Sequence, residues 1–296
     1  MNKSLVDMLV CPSCHSDLYW KIIAETNGYI VEANMKCVVC SSGYHVIDGI
    51  AVFVSEYESE TSIDMPQIKQ KSSSNPLSNN EVSFTNYSLE TQNALGLCID
   101  VLATELQELP SGSILLDFAA GHGNLFFGIV KRSDIIYIIN DINLSCLKYI
   151  KRTIGDEFNS HFNYIAYNAE ASPFRCKSVT TAISLLGLQH IANYNACIND
   201  LRRIVKKNII HISSFCHEDD RINILFLRRR KIADMWSENK FFEALMMANM
   251  TYEILLSIKS AAKGVSRMEE RSCIGRDMFP LVDTNILYMV AKMRIK

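Results

Sequence analysis

The chain has 296 residues, a formal net charge of −2, a pI near 6.4 and an apolar fraction of 48%. It is long enough for one large domain plus a small one and apolar enough for a packed core, while its near-neutral balance excludes bulk attraction to nucleic acid or anionic lipid. No window approaches the roughly 20 apolar residues that span a bilayer, and no N-terminal stretch has the basic, apolar and small-residue order of a signal peptide, so a cytoplasmic chain without a membrane partner is expected. Of the ten cysteines, four are paired near the N-terminus; Cys98, Cys146, Cys176, Cys197, Cys216 and Cys273 are scattered through apolar segments, as expected of small core residues kept reduced.

In chain order, Ser4 to Val10 reads as a short helix leading into Cys11-Pro-Ser-Cys14. A hairpin follows, Tyr19 to Glu25 and Tyr29 to Ala33 about the two-residue turn Asn27-Gly28. A second knuckle, Cys37-Val-Val-Cys40, follows Cys14 after a gap of 22 residues. Two Cys-x-x-Cys pairs around a hairpin can close four thiolates tetrahedrally on zinc, and this arrangement outweighs a redox Cys-x-x-Cys. Four thiolates leave no open coordination position, so a zinc ion held by Cys11, Cys14, Cys37 and Cys40 would be structural; His15 and His45 are the available substitutes, and a lone histidine beside a knuckle is more often surface. With the following Gly43-Tyr-His-Val-Ile-Asp-Gly-Ile-Ala-Val-Phe-Val54, the segment resembles the small zinc-ribbon protein that activates several tRNA and translation-factor methyltransferases. Its relatives carry two prolines where this chain has His45 and Ala51, and the resemblance implies a strand there. A zinc-ribbon domain over residues 1–56 is expected, too small to hold together on apolar burial alone.

Polar residues dominate from about Glu56 to Asn80, including Lys71-Ser-Ser-Ser-Asn-Pro, so residues 57–83 read as a linker or lid. Phe84 and Tyr87 are candidates to fold over a ligand, or simply aromatics packing a helix start. Ser88 to Leu109 is a helix by its apolar period, ended by Pro110-Ser-Gly. Thereafter strands and helices alternate: strand Ile114–Phe118, helix Asn124–Arg132, strand Ile135–Asn140, helix Ser145–Ile154, strands Asn163–Tyr167 and Thr180–Leu185, helix Ala192–Val205, strand Ile209–Ser213. Such alternation implies an α/β fold with a parallel sheet covered on both faces. Phe215 to about Asn249 is an insertion with helices Arg221–Lys231 and Phe241–Met250, and Tyr252–Ile258 and Asn285–Met293 are the final strands.

Ile114 to Leu125 reads Ile-Leu-Leu-Asp-Phe-Ala-Ala-Gly-His-Gly-Asn-Leu, a buried strand, a glycine turn and a helix start. Glycines let backbone approach a ligand that a side chain would keep away. A dinucleotide site wants a third glycine where this chain has Phe126, and Asp117 is unhelpful to a diphosphate. Twenty residues after Gly121, Asp141 closes an apolar strand, where an acidic side chain can take both ribose hydroxyls of an adenosine ligand. Further on come Tyr-Asn-Ala-Glu-Ala-Ser-Pro-Phe, ending at Phe174, and Leu185-Leu-Gly-Leu-Gln-His-Ile191.

These four segments, in this order and spacing, resemble class I S-adenosylmethionine (SAM)-dependent methyltransferases from Phe84 to the C-terminus. The resemblance implies a Rossmann-like seven-stranded sheet in residues 84–296, with a substrate lid at about 215–250. It also implies SAM as cofactor, with Asp117, Ala119, Gly121 and Gly123 along the methionine portion, Asp141 at the ribose and Ile142 against adenine. Asn168 and Ala169 would flank the adenine edge, relatives having Asp at the first, and Leu185 and Leu186 would line the cofactor with backbone carbonyls. His190 lies where acceptors approach in relatives and is the candidate general base; the bland reading is a histidine bonding backbone at a helix start. Leu-x-His-Ile with a lid looks like small-molecule methyltransferases of quinone and natural-product biosynthesis. Nucleic-acid enzymes that methylate amino groups often carry Asn/Asp-Pro-Pro-aromatic there, so an rRNA or tRNA acceptor is disfavoured, although zinc ribbons also begin rRNA guanine methyltransferases. The run Arg228 to Lys231 reads as a solvated face more readily than a phosphate contact. A third reading keeps SAM but gives cyclisation or a noncatalytic adaptor. No residue pattern fixes an oligomeric state.

Overall fold

A computed structural model of the chain describes residues 1–55, 87–123, 125, 132–154, 161–229, 231–264 and 280–295. Four strands come first: β1 (Leu18–Thr26), β2 (Tyr29–Cys37), β3 (Gly43–Ile47) and β4 (Ile50–Val52). Helix α1 (Leu89–Gln107) precedes β5 (Ile114–Asp117) and β6 (Ile136–Asp141), and α2 (Leu144–Ile154) leads to β7 (Phe162–Ala166) and β8 (Val179–Leu185). Then come α3 (Tyr194–Ile204), β9 (Val205–Cys216), α4 (Arg221–Arg229), α5 (Glu238–Met247), β10 (Met250–Ala262) and β11 (Thr284–Ile295).

All eleven strands form one sheet in the order β1-β2-β3-β4-β7-β6-β5-β8-β9-β11-β10. Strands β4, β7, β6, β5, β8 and β9 run parallel, and β11 inserts antiparallel between β9 and β10. The central strands are apolar without alternation, every residue of β7 being buried, because helices cover both faces. One core layer includes Leu116, Ile138, Ile165, Ile209 and Ile198 of α3; the other includes Leu115, Ile139, Ile210 and Leu95 and Leu102 of α1. Helix starts are capped as the sequence provides: the Ser88 hydroxyl accepts from Thr91 N and the Asn193 side chain from Ala196 N.

The strand count corrects the expected seven. Seven strands do make the β7-to-β10 part of the sheet, but β4 pairs in parallel with β7, Ala51 opposite Ile165, and so adds the N-terminal strands to the same sheet. Residues 43–54 hold two strands rather than one, since Asp48 (φ 51°) and Gly49 (φ 71°) turn the chain between β3 and β4. Asn27 (φ 49°) and Gly28 (φ 79°) make the expected hairpin turn between β1 and β2. The segment expected as a helix from Ser4 is a 3₁₀ helix, Lys3–Met8. Strands β9, β10 and β11 outrun their apolar cores because pairing continues through polar residues such as Asn208 and Lys259-Ser260. Linker residues 57–83, Phe84 and most of the expected helix Asn124–Arg132 lie outside the described residues.

The N-terminal strands hold the sheet at more than one point. Phe53 N donates to Ala166 O at 2.8 Å, at the end of β7; Val10 N donates to Pro173 O (2.8 Å) and Arg175 N to Met8 O (2.9 Å). Leu9 and Phe174 form an isolated bridge, and Lys151 of α2 pairs with Asp48 at 2.8 Å. Residues 167–172 are thereby bracketed at both ends by the N-terminal segment. Phe174 is fully buried at this junction, its ring edge-on to Tyr167 at 5.6 Å between centroids.

Phe174→Ala is expected to cost about 3–5 kcal/mol through the cavity it leaves. Because the N-terminal strands share one sheet and one core layer with the parallel strands, urea unfolding followed at Trp20 and at Trp236, each in a single-tryptophan variant, should give coincident midpoints that both fall. An unshifted Trp20 transition would show that the N-terminal strands fold independently.

Candidate functional site

The parallel strands β5 to β8 end at one edge of the sheet, and the residues singled out by motif meet there. After β5 the chain turns sharply: Ala119 has φ 52°, Gly121 φ 57° and Gly123 φ 79°. A Cβ on Gly121 would meet none of the described residues within 4 Å, so its need is the left-handed backbone, whereas a Cβ on Gly123 would come within 3.0 Å of the Ile150 side chain on α2. Gly121 N donates to Asp141 Oδ2 at 2.8 Å and Asn143 N to Asp141 Oδ1 at 2.8 Å. The carboxylate at the end of β6 thus ties the glycine turn to the start of the next loop, and each oxygen keeps a lone pair. Ile142 is half-buried beside it.

Asp117 is different. It is 5% exposed, and neither carboxylate oxygen has a hydrogen-bond partner among the described residues. Burial, and secondarily the charge of Asp141, push its pKa well above the usual carboxylate range. Because the folded-state value lies above the unfolded one, Asp117 contributes stability below about pH 4, and that contribution is lost as pH rises through the raised value. At neutral pH it is a carboxyl that a cation would welcome.

Beyond β7, Asn168 and Ala169 are half-buried, and Asn168 Oδ1 accepts from Glu170 N at 3.0 Å, shaping its own loop. Leu185 ends β8 and Leu186 takes φ 59°. A 3₁₀ turn, Gly187–His190, follows. Gly187 has no room for a side chain, since a Cβ would lie 2.3 Å from Ser184 Oγ and 2.8 Å from Ala119 Cβ. The β8 end is therefore packed directly on the glycine turn. Gln189 is buried and bonds Ser214 of β9 at both N and O, fixing the turn that carries His190, itself half-buried at the edge. Tyr87, whose carbonyl accepts from Gln92 Nε2 at 2.8 Å, sits at the start of α1; Phe84 lies outside the described residues. The insertion yields α4, a 3₁₀ turn at Ala233–Trp236 and α5, with Phe241 against Phe215 at 5.5 Å.

Motif spacing passed over two residues, Asn140 and Gly187. Asn140 could have been found as a polar residue in an otherwise apolar buried strand; the crowding at Gly187 has no local signal.

The second cluster is at the knuckles. The sulfurs of Cys11, Cys14, Cys37 and Cys40 all lie within 4.8 Å of one another, the one such metal-competent group among the described residues. Cys11–Cys40 and Cys14–Cys37 are 3.5 and 3.4 Å apart, too far for disulfides. Tetrahedral zinc with bonds of about 2.3 Å needs sulfurs about 3.8 Å apart, so the set fits. Val39 N and Cys40 N both donate to Cys37 Sγ from 3.4 Å. His15 and His45 are outside the group, and His45 bonds Asn34 instead.

A family profile described as a methyltransferase domain matches residues 116–212, from the end of β5 to β9. Ubiquinone/menaquinone biosynthesis C-methyltransferases UbiE of Xylella fastidiosa strains 9a5c and M23 are 28% identical over 102 residues, covering 33% of this chain and 40% of theirs. The chain thus spans about two fifths of the length of these curated relatives. Among solved structures, YcgJ of Bacillus subtilis superposes with a TM-score of 0.53 at 10% identity, over 67% of this chain and 98% of that one. A geranyl diphosphate methyltransferase in complex with SAM gives 0.51 at 10% identity, over 68% and 85%. The [4+2]-cyclase SpnF gives 0.50 at 14% identity, over 68% and 81%. At such identities the likeness establishes the fold alone, an α/β sheet shared with these structures. Among the described residues no helix is long and apolar enough to cross a membrane.

Asp117→Asn removes a buried acid without removing its shape. It is expected to raise the melting temperature of the ligand-free chain at pH 7 and to flatten the fall in stability between acid and neutral pH. An Asp117→Asn chain less stable than wild type at pH 7 would contradict the direction of this shift.

Proposed function

We propose that this chain is a SAM-dependent methyltransferase acting on a small-molecule acceptor, with residues 1–56 a structural zinc ribbon, 57–83 a linker or lid and 84–296 the methyltransferase domain. The observation that carries the reading is the buried Asp117 side chain, without a hydrogen-bond partner among the described residues, beside a left-handed glycine turn and one strand from Asp141. That is a site for a cationic amine joined to a ribose, and the domain match over residues 116–212 supports the same ligand. When bound, SAM supplies a methyl group already activated by its sulfonium, so transfer asks for alignment and desolvation more than for acid or base.

The chain's residues divide that work. Asp117 receives the amino group of the methionine portion, and Ala119, Gly121 and Gly123 let backbone close on it. Asp141 offers its remaining lone pairs to the ribose hydroxyls, Ile142 packs on the adenine, and Asn168 and Ala169 border its edge. Leu185 and Leu186 line the pocket with backbone carbonyls, Phe84 and Tyr87 cover it, and the α4–α5 insertion closes over the acceptor. His190 takes a proton where the acceptor must lose one.

A small acceptor is supported by the C-methyltransferases of quinone biosynthesis among the relatives and by a formal net charge of −2, which gives no bulk attraction to nucleic acid. The exposed Arg228 and Arg229 at the end of α4 form too short a basic run to argue for RNA. Buried thiols at Cys98 and Cys197, neither in a disulfide, fit a reducing cytoplasm. The four knuckle thiolates fill a zinc ion's coordination, so the metal staples and takes no part in transfer.

Calorimetry tests the cofactor: SAM and S-adenosylhomocysteine should both bind, and Asp141→Asn should weaken them about tenfold to hundredfold through a lost charge-assisted hydrogen bond. A wild-type chain that ignores both ligands removes the site. Incubation with labelled SAM and a metabolite extract, read by mass spectrometry, identifies the acceptor.

Metal analysis of the purified chain should return one zinc per chain. Cys40→Ser should lose it and melt at a lower temperature, because ribbon and sheet share a core; full stability after complete chelation would refute a stapling role.

A further inference from the structure

We propose that Asn140 is a positioning residue for the cofactor site, a single buried carboxamide that fixes the glycine turn after β5 to the chain leaving β7. The inference rests on the SAM reading above and adds a residue which that reading does not use. Asn140 is 1% exposed, at the penultimate position of β6. Its Oδ1 accepts from Ala119 N at 3.3 Å, and its Nδ2 donates to Ile165 O at 3.1 Å and to Tyr167 O at 3.0 Å. Its own carbonyl accepts from Ala120 N at 2.8 Å. One side chain therefore joins three strand ends at the ligand edge.

Ordinary ladder bonds cannot do this. The β6–β7 pairing stops at Asp141 opposite Ala166, and the β5–β6 pairing stops at Asp117 opposite Ile139. Ala119 and Tyr167 lie just beyond those last rungs. Ala119 holds a left-handed backbone that residues with a Cβ avoid, and it is bonded through its N–H to Asn140. Tyr167 immediately precedes Asn168 and Ala169. The next residue along, Asp141, holds Gly121. Asn140 and Asp141 together set the distance between the turn that would meet the methionine portion and the loop that would meet the adenine.

The fold supplies its own control. Asn163 of β7 is also 1% exposed and also bridges β6 and β7, its Nδ2 donating to Tyr137 O at 3.1 Å and its Oδ1 accepting from Asn2 N at 2.7 Å. It sits farther back along the strands, away from both loops. Truncating either asparagine strands buried backbone groups and lowers stability; only Asn140 reaches the site.

Calorimetric titration of S-adenosylhomocysteine, at a temperature where circular dichroism shows each variant folded, separates the two roles. Asn140→Ala is expected to weaken binding about tenfold and Asn163→Ala less than twofold, although both melt earlier. Should Asn140→Ala fail to fold, Asn140→Ser, which restores one donor in a smaller side chain, is expected to fold and to weaken binding by an intermediate factor. Wild-type affinity in the Asn140 variants, or an equal loss in the Asn163 variant, overturns the inference and leaves the SAM reading standing. A wild-type chain that binds neither SAM nor its demethylated product overturns both.

Discussion

A carboxylate kept from water at the end of β5 is the constraint around which this structure is arranged. Burying an acid with no partner is costly enough that the group prefers to be neutral, and Asp117 is held there regardless by the strands on either side of β5. The arrangement is paid for by the apolar rungs beneath it, Leu115 and Leu116, and by the layers of α1 and α3. Everything at the ligand edge then serves to keep backbone close to that carboxyl: left-handed residues at 119, 121 and 123, a glycine at 187 with no space for a side chain, and two adjacent polar side chains at the end of β6. At the end of β5, left-handed backbone at Ala119 and the buried acid at Asp117 stand two residues apart, where the proposed chemistry would occur.

The N-terminal strands are part of the same argument. A module of about fifty residues has too little core to be stable by apolar burial. Here it gains in two ways, through four sulfurs spaced for a metal and through β4, which takes the open edge of β7. Pairing there also removes an exposed parallel edge, which would otherwise offer unpaired backbone groups to another chain. The contacts from Phe53, Val10 and Met8 fall on either side of the loop carrying Asn168 and Ala169. The proposed metal staple and the proposed adenine edge are thus neighbours in one core, with Tyr167 and Phe174 between them.

Much of this was legible from residues alone, for a physical reason in each case. The four cysteines were legible because ligand geometry imposes local spacing. The Asn27-Gly28 turn was legible because only a few residue types accept left-handed backbone. The order of strands and helices followed from periods of apolar burial, and the glycine turn from the need for a bare backbone. Each of these signals is carried within a few residues of chain.

What only the tertiary structure decided depends on partners far apart in sequence. The register of Ala51 on Ile165 and the merging of the N-terminal strands into one eleven-stranded sheet have no local pattern, since any short apolar strand could take that edge. The role of Asn140 emerges only when the carbonyls of Ile165 and Tyr167 and the N–H of Ala119 are brought to one point. Likewise Gly187 is required by the Cβ of Ala119, sixty-eight positions earlier. Sequence by itself determined which segments are strands, turns and metal-competent knuckles, because those follow from backbone sterics and side-chain chemistry; the closeness of the strand ends, and hence the shape of the site, came from packing between segments that the chain keeps far apart.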